Sequence, residues 1–236
     1  NKGSNIFAFV QDRWEPLPWL TVDLGLKYDR VTLRNDVGER IVGFDAVTPV
    51  GGFAIDPSGR GLAKIYAGGG VNIDQGRLGV SSFLDKNGTG SKLYLGEYFD
   101  RDNNASYNQW SYSRGQSTYN KHDKLTAPKV YGLAAGFEMN LGARTKVGLE
   151  GTAKWFRNLW EDDEVNYIWN GAGTNTIGVI NGLQDDFFRL RTPNQASRNY
   201  YSLSFILQRA MFKGLLLDLN YTMSMTRGLT ETEITA

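Results

Sequence analysis

The feature that most limits the fold of this chain is a long, regular alternation of apolar and polar side chains. It is strictest in LLLDLNYTMSMTRG, from Leu215 to Gly228. The odd positions up to Met225 carry Leu, Tyr or Met, and the even positions from Asp218 to Thr226 carry Asp, Asn, Thr or Ser. A period of two indicates a strand with two chemically different faces. Strands on a soluble core are usually about 5–6 residues long, whereas this pattern continues for roughly a dozen.

The same period recurs at intervals along the 236 residues. It is visible in TVDLGLKYD (21–29), KVYGLAAGFEM (129–139), KVGLEGTAKW (146–155) and YSLSFILQR (201–209). Short segments rich in turn residues, such as DPSGRG (56–61) and NLGAR (140–144), lie between strand-like runs and predict hairpin turns. The sequence is therefore predicted to be all-β and antiparallel.

We predict about eight strands, joined by connections that alternate between short and long. The strands are 5–14, 19–34, 48–55, 62–74, 128–139, 145–157, 198–209 and 215–227. They pair as hairpins at about 5–34, 48–74, 128–157 and 198–227, separated by polar loops at about 35–47, 75–127 and 158–197. Short turns at one rim and long loops at the other are typical of an outer-membrane barrel, with periplasmic turns and extracellular loops. We therefore interpret residues 1–236 as one β-barrel segment.

The alternation is compatible with two architectures, a transmembrane β-barrel wall and a soluble β-sandwich. The apolar face would contact lipid in a barrel and a second sheet in a sandwich. Three observations favour the barrel. The strands are long, aromatic residues such as Trp14, Trp19 and Trp155 lie near strand ends, and charges such as Asp23 and Glu150 lie on the polar face. The soluble sandwich is the alternative.

The composition argues against several classes of protein. Lys and Arg total 26 against 25 Asp and Glu, so the chain lacks the basic excess of a nucleic-acid binder. It has no cysteine, which excludes disulfides and thiolate metal sites. No apolar run approaches the ~18 residues of a transmembrane helix, but a barrel strand needs only ~9–11 alternating residues.

Three hairpin segments carry motifs of a known family. FAFVQDRWEPLPWLTVDLGLKYDR (7–30) is similar to the pattern F-x-Q-D-x-W … L-T-x-x-x-G-x-R-Y-D. VTPVGGFAIDPSGRGLAKIYAGGGVN (47–72) is similar to P-R-x-G-x-A-Y-D-P-x-G-x-G-K-T-x-x-R-G-G-Y-G, and NYYSLSFILQRAMFKGLLLDLNYTMSMTRG (199–228) to a late hairpin of the same proteins. These are hairpins of TonB-dependent outer-membrane receptors, and the set most resembles their Oar-type branch. The resemblance covers the strands and turns over most of the chain, but not the long loops.

The resemblance implies that this wall belongs to a larger barrel. Plugged transporters of this kind have about 22 strands, so about eight strands would form part of one. The chain shows no plug domain, TonB box or regulatory-like domain, and it ends in ETEITA rather than in an aromatic strand. We therefore expect it to be part of a longer polypeptide. A complete small eight-stranded barrel is the alternative.

The resemblance also implies TonB-dependent active transport at the bacterial outer membrane. The solute would be bulky, such as a glycan, a peptide or a siderophore-like molecule, and no nucleic acid is expected as a partner. The implied partners are outer-membrane lipid or lipopolysaccharide, the remaining barrel strands and plug of the same protein, the TonB complex, and a surface lipoprotein or large substrate. Two other hypotheses are a non-transporting outer-membrane anchor or adhesin that displays aromatic loops, and a soluble carbohydrate-binding protein.

The loop at 75–127 is the strongest candidate for a ligand-binding region. Its aromatic side chains lie among Asn, Ser and Gly, a combination that can stack on sugars or hold a peptide. The candidate ligand contacts in this extracellular loop are Tyr98, Tyr107, Trp110 and Tyr112. Packing of the loop against its neighbours would explain the same residues.

No catalytic, cofactor-binding or metal site is predicted, and the chain is not expected to be an enzyme. DRDNN (100–104) resembles the start of a calcium loop, but Ala105 occupies the position that requires Gly. His122 is the single histidine, so a multi-His metal site cannot form within the chain. The acidic run WEDDEVN (160–166) is interpreted as a solvated loop.

Overall fold

A computed structural model shows a large antiparallel sheet with smaller sheets in its connections. It describes residues 1–73, 80–81, 84–85, 92–95, 98–100, 105–107, 111–114, 121–142, 144–164, 167–169, 176–179, 188–211 and 214–228. Trp110, one of the predicted ligand contacts, lies outside these residues. Within them, no helix is long and apolar enough to cross a bilayer.

The strands are numbered in chain order. The first four are β1 (Lys2–Leu17), β2 (Leu20–Arg34), β3 (Arg40–Ile55) and β4 (Ala63–Ile73). Short strands follow at β5 (Lys92–Leu95), β6 (Tyr98–Asp100), β7 (Ala105–Tyr107), β8 (Ser111–Arg114) and β9 (Lys121–His122). Then come β10 (Lys129–Asn140), β11 (Thr145–Arg157), β12 (Glu161–Glu164), β13 (Tyr167–Trp169), β14 (Thr176–Val179), β15 (Phe188–Arg191), β16 (Ser197–Ala210) and β17 (Leu216–Gly228).

The eight long strands form one continuous sheet. Its order is β1-β2-β3-β4-β10-β11-β16-β17, and every neighbouring pair is antiparallel. The long strands therefore follow one another across the sheet as an up-and-down meander, and the short strands lie in its connections. The prediction of an all-β antiparallel chain with about eight long strands is confirmed.

The short strands form small sheets within the long connections. β12, β15 and β9 form a three-stranded sheet, in which β15 and β9 are parallel. The pairs β13–β14, β5–β8 and β6–β7 are two-stranded and antiparallel. All of these lie in the connections from β4 to β10 and from β11 to β16, which the sequence pattern predicted as loops.

Strand β3 extends further than the sequence pattern predicted. It begins at Arg40 rather than at residue 48, so the connection from β2 covers 35–39 instead of 35–47. Packing explains the extension, because Val42 lies opposite Leu33 in the register and both side chains are buried. A turn closes the shorter connection, in which Gly38, at φ +84°, donates its amide to the Asn35 carbonyl at 3.1 Å.

The turn between β3 and β4 is held by one carboxylate. Asp56 accepts hydrogen bonds from the Ser58 hydroxyl at 2.5 Å and from the Gly61 amide at 2.6 Å. These donors lower the pKa of Asp56, the Ser58 hydroxyl most strongly, because they stabilise its charged form. Gly59 and Gly61 have φ near +60° and +70°, where a residue with a side chain would be strained.

The main hydrophobic core of the described residues lies at the loop end of β2 and β3. It consists of Val31, Leu33, Ile41, Val42, Val80, Leu84 and Leu190. Leu84 follows β4 and Leu190 belongs to β15, so segments of two long connections pack on the same end of the sheet. Trp160 packs against this cluster and donates its indole N–H to the Thr126 carbonyl at 2.7 Å. The loop end is therefore partly covered by the chain's own connections.

Candidate functional site

The register of the eight-stranded sheet aligns the alternating side chains into two faces. On one face, Leu149 lies opposite Phe205, which lies opposite Tyr221. On the other face, Glu150 lies opposite Ser204. Because neighbouring strands keep this register, apolar residues collect on one face and polar residues on the other. We call these the apolar face and the polar face.

The apolar face is exposed. Leu24, Leu26, Leu133, Leu149, Phe205 and Leu219 are each between 41% and 52% accessible. In a β-sandwich such residues would be sealed beneath a second sheet. No second layer of described residues covers them, so the predicted alternative of a soluble sandwich is not what this sheet forms. An exposed apolar surface of this extent marks a site of contact with a membrane or with another protein surface.

Aromatic side chains lie on the apolar face toward the loop end. The indole N–H of Trp155 donates to the Tyr201 hydroxyl at 3.2 Å, and the two rings meet edge to face with centroids 6.4 Å apart. Tyr131 lies opposite Trp155 on the neighbouring strand. Tyr and Trp have an apolar ring and a polar tip, a combination suited to the boundary between hydrocarbon and water. We call these three residues the aromatic row.

The polar face carries ion pairs between and along its strands. They are Arg13–Asp23 at 2.8 Å, Lys27–Asp29 at 3.0 Å and Lys146–Glu138 at 2.8 Å. Hydrogen bonds continue the pattern on the last two strands, with Gln208 donating to Asp218 at 3.1 Å and Ser204 paired with Thr222 at 2.8 Å. Ion pairs and hydroxyls at this density suit a face in contact with water.

Asp29 is the most deeply buried charge on the polar face of the described residues. Its side chain is 1% exposed, and Nζ of Lys27 lies 3.0 Å from its Oδ1. Neither carboxylate oxygen has a hydrogen bond of good geometry among the described residues, so the ammonium of Lys27 supplies most of the compensation. Lys27 also lies 5.8 Å from the ring centroid of Phe7. The pair is a fixed charged element inside the polar face.

The small sheet of β12, β15 and β9 is crossed by two arginine–aspartate pairs. Arg189 donates to Asp123 twice, from Nε at 3.1 Å and from Nη2 at 2.8 Å. This fork lowers the pKa of Asp123 and raises the pKa of Arg189, mainly through the hydrogen bonds themselves. Arg191 forms a direct ion pair with Asp163. Part of the acidic run predicted as a solvated loop is thus tied into a sheet.

Three of the four predicted ligand contacts lie in short two-stranded ribbons. Tyr98 of β6 is opposite Tyr107 of β7 in the backbone register, and Tyr112 of β8 is opposite Tyr94 of β5. The structure thus brings Tyr98 and Tyr107 together on one ribbon and places Tyr112 on another. These residues therefore occupy strands rather than an irregular loop.

The sequence pattern alone missed two features of the site. The hydrophobic core at the loop end joins Val31 to Leu84 and Leu190, which are far apart in the chain and share no local period. The pairing of polar side chains across strands was also missed, because it depends on the register. The apolar pair Ile41–Val42 within the predicted loop at 35–47 was a usable signal that a strand continued there.

The fold is similar to that of solved transporter structures. The FrpB iron transporter from Neisseria meningitidis, F5-1 variant, matches with a TM-score of 0.60 and 12% identity over 96% of this chain. The F3-3 variant of FrpB matches with a TM-score of 0.60 and 11% identity over 96%. In both comparisons the chain spans 26% of the length of FrpB. No protein-family model matches this sequence, and the search of curated proteins gave no match.

At this level of identity, the similarity establishes the fold. The Oar-type resemblance of the sequence motifs has no counterpart among these structures. The eight-stranded sheet, with an exposed apolar face and an ion-paired polar face, has the architecture of a section of a β-barrel wall.

Proposed function

We propose that this chain is part of the wall of a TonB-dependent transporter in the bacterial outer membrane. The observation that carries the proposal is the exposed apolar face on a sheet with the fold of a section of FrpB. Side chains such as Leu149 and Leu219 would contact lipid, and burial of their surface contributes roughly 25 cal/mol per Å². The strand and hairpin motifs of the sequence support the family and, more narrowly, its Oar-type branch.

The polar face would line the interior of the barrel. Charged pairs such as Arg13–Asp23 and Lys146–Glu138 would border water and the plug of the same protein. The edge strands β1 and β17 leave backbone groups available for further strands, which the rest of the barrel would supply. Residues 1–236 would thus form a single wall segment with no covalent chemistry of its own and no cofactor.

The long connections would form the extracellular surface. The tyrosine pairs of the two ribbons, Tyr98–Tyr107 and Tyr94–Tyr112, would contribute stacking surface for a bulky solute such as a glycan, peptide or siderophore-like molecule. Trp110, the fourth predicted ligand contact, would belong to the same ligand-binding surface. Release of the solute into the barrel would depend on the TonB complex. A surface lipoprotein would be a further partner of these connections.

Two measurements test the proposal in cells that express the full-length protein. The protein should fractionate with the outer membrane and remain there after washing with high salt and urea. Strains lacking either this protein or TonB should then share one growth defect on a panel of glycans, peptides and ferric siderophores used as sole nutrient sources.

The outcomes separate transport from the alternatives. Recovery in the soluble fraction would contradict the membrane assignment and favour a soluble carbohydrate-binding protein. An outer-membrane protein whose loss causes no TonB-linked defect, but reduces adhesion of the cells, would favour the anchor or adhesin.

A further inference from the structure

Two cations and two aromatic rings alternate on the polar face, near the loop end of β11 and β16. Lys154 lies opposite Tyr200 in the register, and Phe156 lies opposite Arg198. Nζ of Lys154 is 5.9 Å from the centroid of the Tyr200 ring, and the guanidinium carbon of Arg198 is 5.7 Å from the centroid of the Phe156 ring. Each cation is therefore close enough for a cation–π contact with the ring on the neighbouring strand. We call these four residues the cation–ring patch.

The charge of the cation–ring patch is not neutralised within the described part of the chain. Carboxylates elsewhere on the polar face have partners, as in Asp23–Arg13, Asp29–Lys27, Glu138–Lys146, Glu150–Tyr66 and Asp218–Gln208. By contrast, none of the ion pairs among the described residues includes Lys154 or Arg198. The rings attract the two cations without cancelling their charge, so this part of the face stays positive.

Acidic residues are confined to the turn half of the surrounding strands, the half nearest the short turns. Glu138 of β10, Glu150 of β11 and Asp218 of β17 are the acidic residues of those strands, and β16 has none. Glu150 is four positions from Lys154, or about 13 Å along β11. The loop half of the polar face on β11 and β16 is therefore basic and would attract an anion.

Open space for a ligand lies beside Lys154. Gly132 of β10 is opposite Lys154, and Gly70 of β4 is opposite Gly132, so two neighbouring positions of the polar face carry no side chain. A Cβ added at Gly132 would have no described neighbour within 4 Å. Lys154 itself is exposed. The cation–ring patch therefore borders an open recess rather than a packed surface.

Hydroxyl groups border the cation–ring patch on its other sides. Thr226 of β17 lies opposite Tyr200, and Thr152 lies opposite Ser202 one step nearer the turns. A hydroxyl both donates and accepts hydrogen bonds, which suits the hydroxyls of a sugar. The faces of aromatic rings are negative and attract the C–H bonds of a sugar as well as cations. The surface thus combines partners for a carboxylate, for sugar hydroxyls and for the C–H face of a sugar ring.

We propose that the cation–ring patch binds an acidic glycan. Carboxylates of the glycan contact Lys154 and Arg198. Its sugar rings pack on Phe156 and Tyr200. The inference rests on the proposed transport function, which makes the polar face the wall of a water-filled interior.

Position favours a solute over the plug of the same protein as the occupant. Lys154 and Phe156 flank Trp155 of the aromatic row in sequence, so the cation–ring patch lies at the level of the membrane boundary nearest the loops. A solute that arrives through the long connections meets this part of the wall first. The bordering hydroxyls of Thr152, Ser202 and Thr226 favour a glycan over an acidic peptide.

The test is a calorimetric titration of the purified full-length protein in detergent. The probes are oligogalacturonate, which carries a carboxylate on every sugar, its neutral methyl ester, and an oligoglutamate peptide. The wild type should bind oligogalacturonate most tightly of the three. The double variant Lys154→Gln/Arg198→Gln should bind it roughly 25-fold more weakly, at about fivefold for each exposed ion pair lost. The methyl ester should bind the wild type and the double variant equally weakly.

A matched control lies at the turn end of the same face. Lys64 of β4 also lies over an aromatic ring, with its Nζ 5.0 Å from the centroid of Tyr66. Its register, through Glu138, is level with Gly148, about 20 Å along β11 from Lys154. Lys64→Gln removes the same charge and should leave oligogalacturonate affinity within about twofold, because salt screens charges at that distance.

A second variant tests the recess without removing a charge. Gly132→Phe places a bulky side chain in the open space beside Lys154 and should weaken the binding of oligogalacturonate. Phenylalanine is well suited to a strand, so this variant covers the case in which the double variant does not fold.

Several results would overturn the proposal. They are no binding of oligogalacturonate by the wild type, unchanged affinity in the double variant or in Gly132→Phe, an equal loss in Lys64→Gln, and tighter binding of oligoglutamate. The last would identify a peptide site. Normal binding by a double variant of lower stability would assign the cation–ring patch to contact with the plug.

The failure of this inference is distinguishable from failure of the proposed function. Recovery of the full-length protein in the soluble fraction would overturn both. An outer-membrane protein whose loss causes a TonB-linked growth defect, but whose variants bind oligogalacturonate as the wild type does, would overturn only the acidic-glycan site.

Discussion

The hydroxyl of Tyr66 donates a 2.7 Å hydrogen bond to Oε2 of Glu150 across the strand that separates β4 from β11. Gly136 of β10 lies opposite both residues in the register. The Tyr66 ring covers this glycine so closely that an added Cβ would lie 2.5 Å from the ring. The three residues therefore fasten three adjacent strands on the polar face.

The first prediction concerns the space above Gly136. Gly136→Ala should displace the Tyr66 ring and break its hydrogen bond to Glu150, lowering the free energy of unfolding by about 1–3 kcal/mol. Gly132→Ala is the matched control, because it lies on the same strand and face with nothing within 4 Å of its added Cβ. Urea unfolding of the full-length protein in lipid vesicles, followed by tryptophan fluorescence, measures both. Equal stabilities would show that the ring moves without loss.

The second prediction concerns the buried charge of Asp29. Lys27→Met should destabilise the protein by about 3–5 kcal/mol, because it leaves a buried carboxylate without its cation. The double variant Lys27→Met/Asp29→Leu should recover most of that loss, since no charge is then left buried. Urea unfolding in lipid vesicles measures the stability of the single and the double variant. A single variant as stable as the wild type would mean that water reaches Asp29.

The sequence predicts the sheet well because each long strand carries its own two-residue pattern. Leu149 and Glu150 indicate the two faces of β11 by themselves, because the pattern does not depend on which strands are neighbours. The start of β3 was missed because its first residues, Ile41 and Val42, are stabilised by burial against distant segments rather than by alternation.

The details of the site depend on information that local patterns lack. Tyr66 and Glu150 are 84 positions apart, and only the register of β4, β10 and β11 brings them together. That register depends on turns and on the long connection before β10, whose length says nothing about alignment. The position of Lys129 opposite Arg157 was unpredictable for the same reason, because the two are neighbours only once β10 pairs with β11.

The third prediction concerns pH and the turn between β3 and β4. Because its pKa is lowered in the folded state, Asp56 contributes stability that is fully present above its unfolded pKa of about 3.9. That contribution should be lost as the pH falls through the folded pKa. The difference in unfolding midpoint between the wild type and Asp56→Asn should therefore shrink in acid. A difference that stays constant with pH would show that the charge of Asp56 does not stabilise the turn.

The last prediction tests which face of the sheet meets lipid. Leu149 and Thr152 lie on the same strand, β11, on the apolar and polar faces respectively. Leu149→Lys should make folding into a bilayer less favourable by about 2–4 kcal/mol, because it places a charge in hydrocarbon. Thr152→Lys, directed to an aqueous interior, should change it by less than about 1 kcal/mol.

Reversible folding of the full-length protein into lipid vesicles measures both substitutions under the same conditions. Which of the two variants loses more stability shows which face meets lipid, because a lysine is tolerated only where water can reach it. If Thr152→Lys were the more damaging change, the polar face would be packed rather than wet. If neither mattered, Leu149 would face solvent, and the membrane-spanning assignment of the sheet would have to be abandoned.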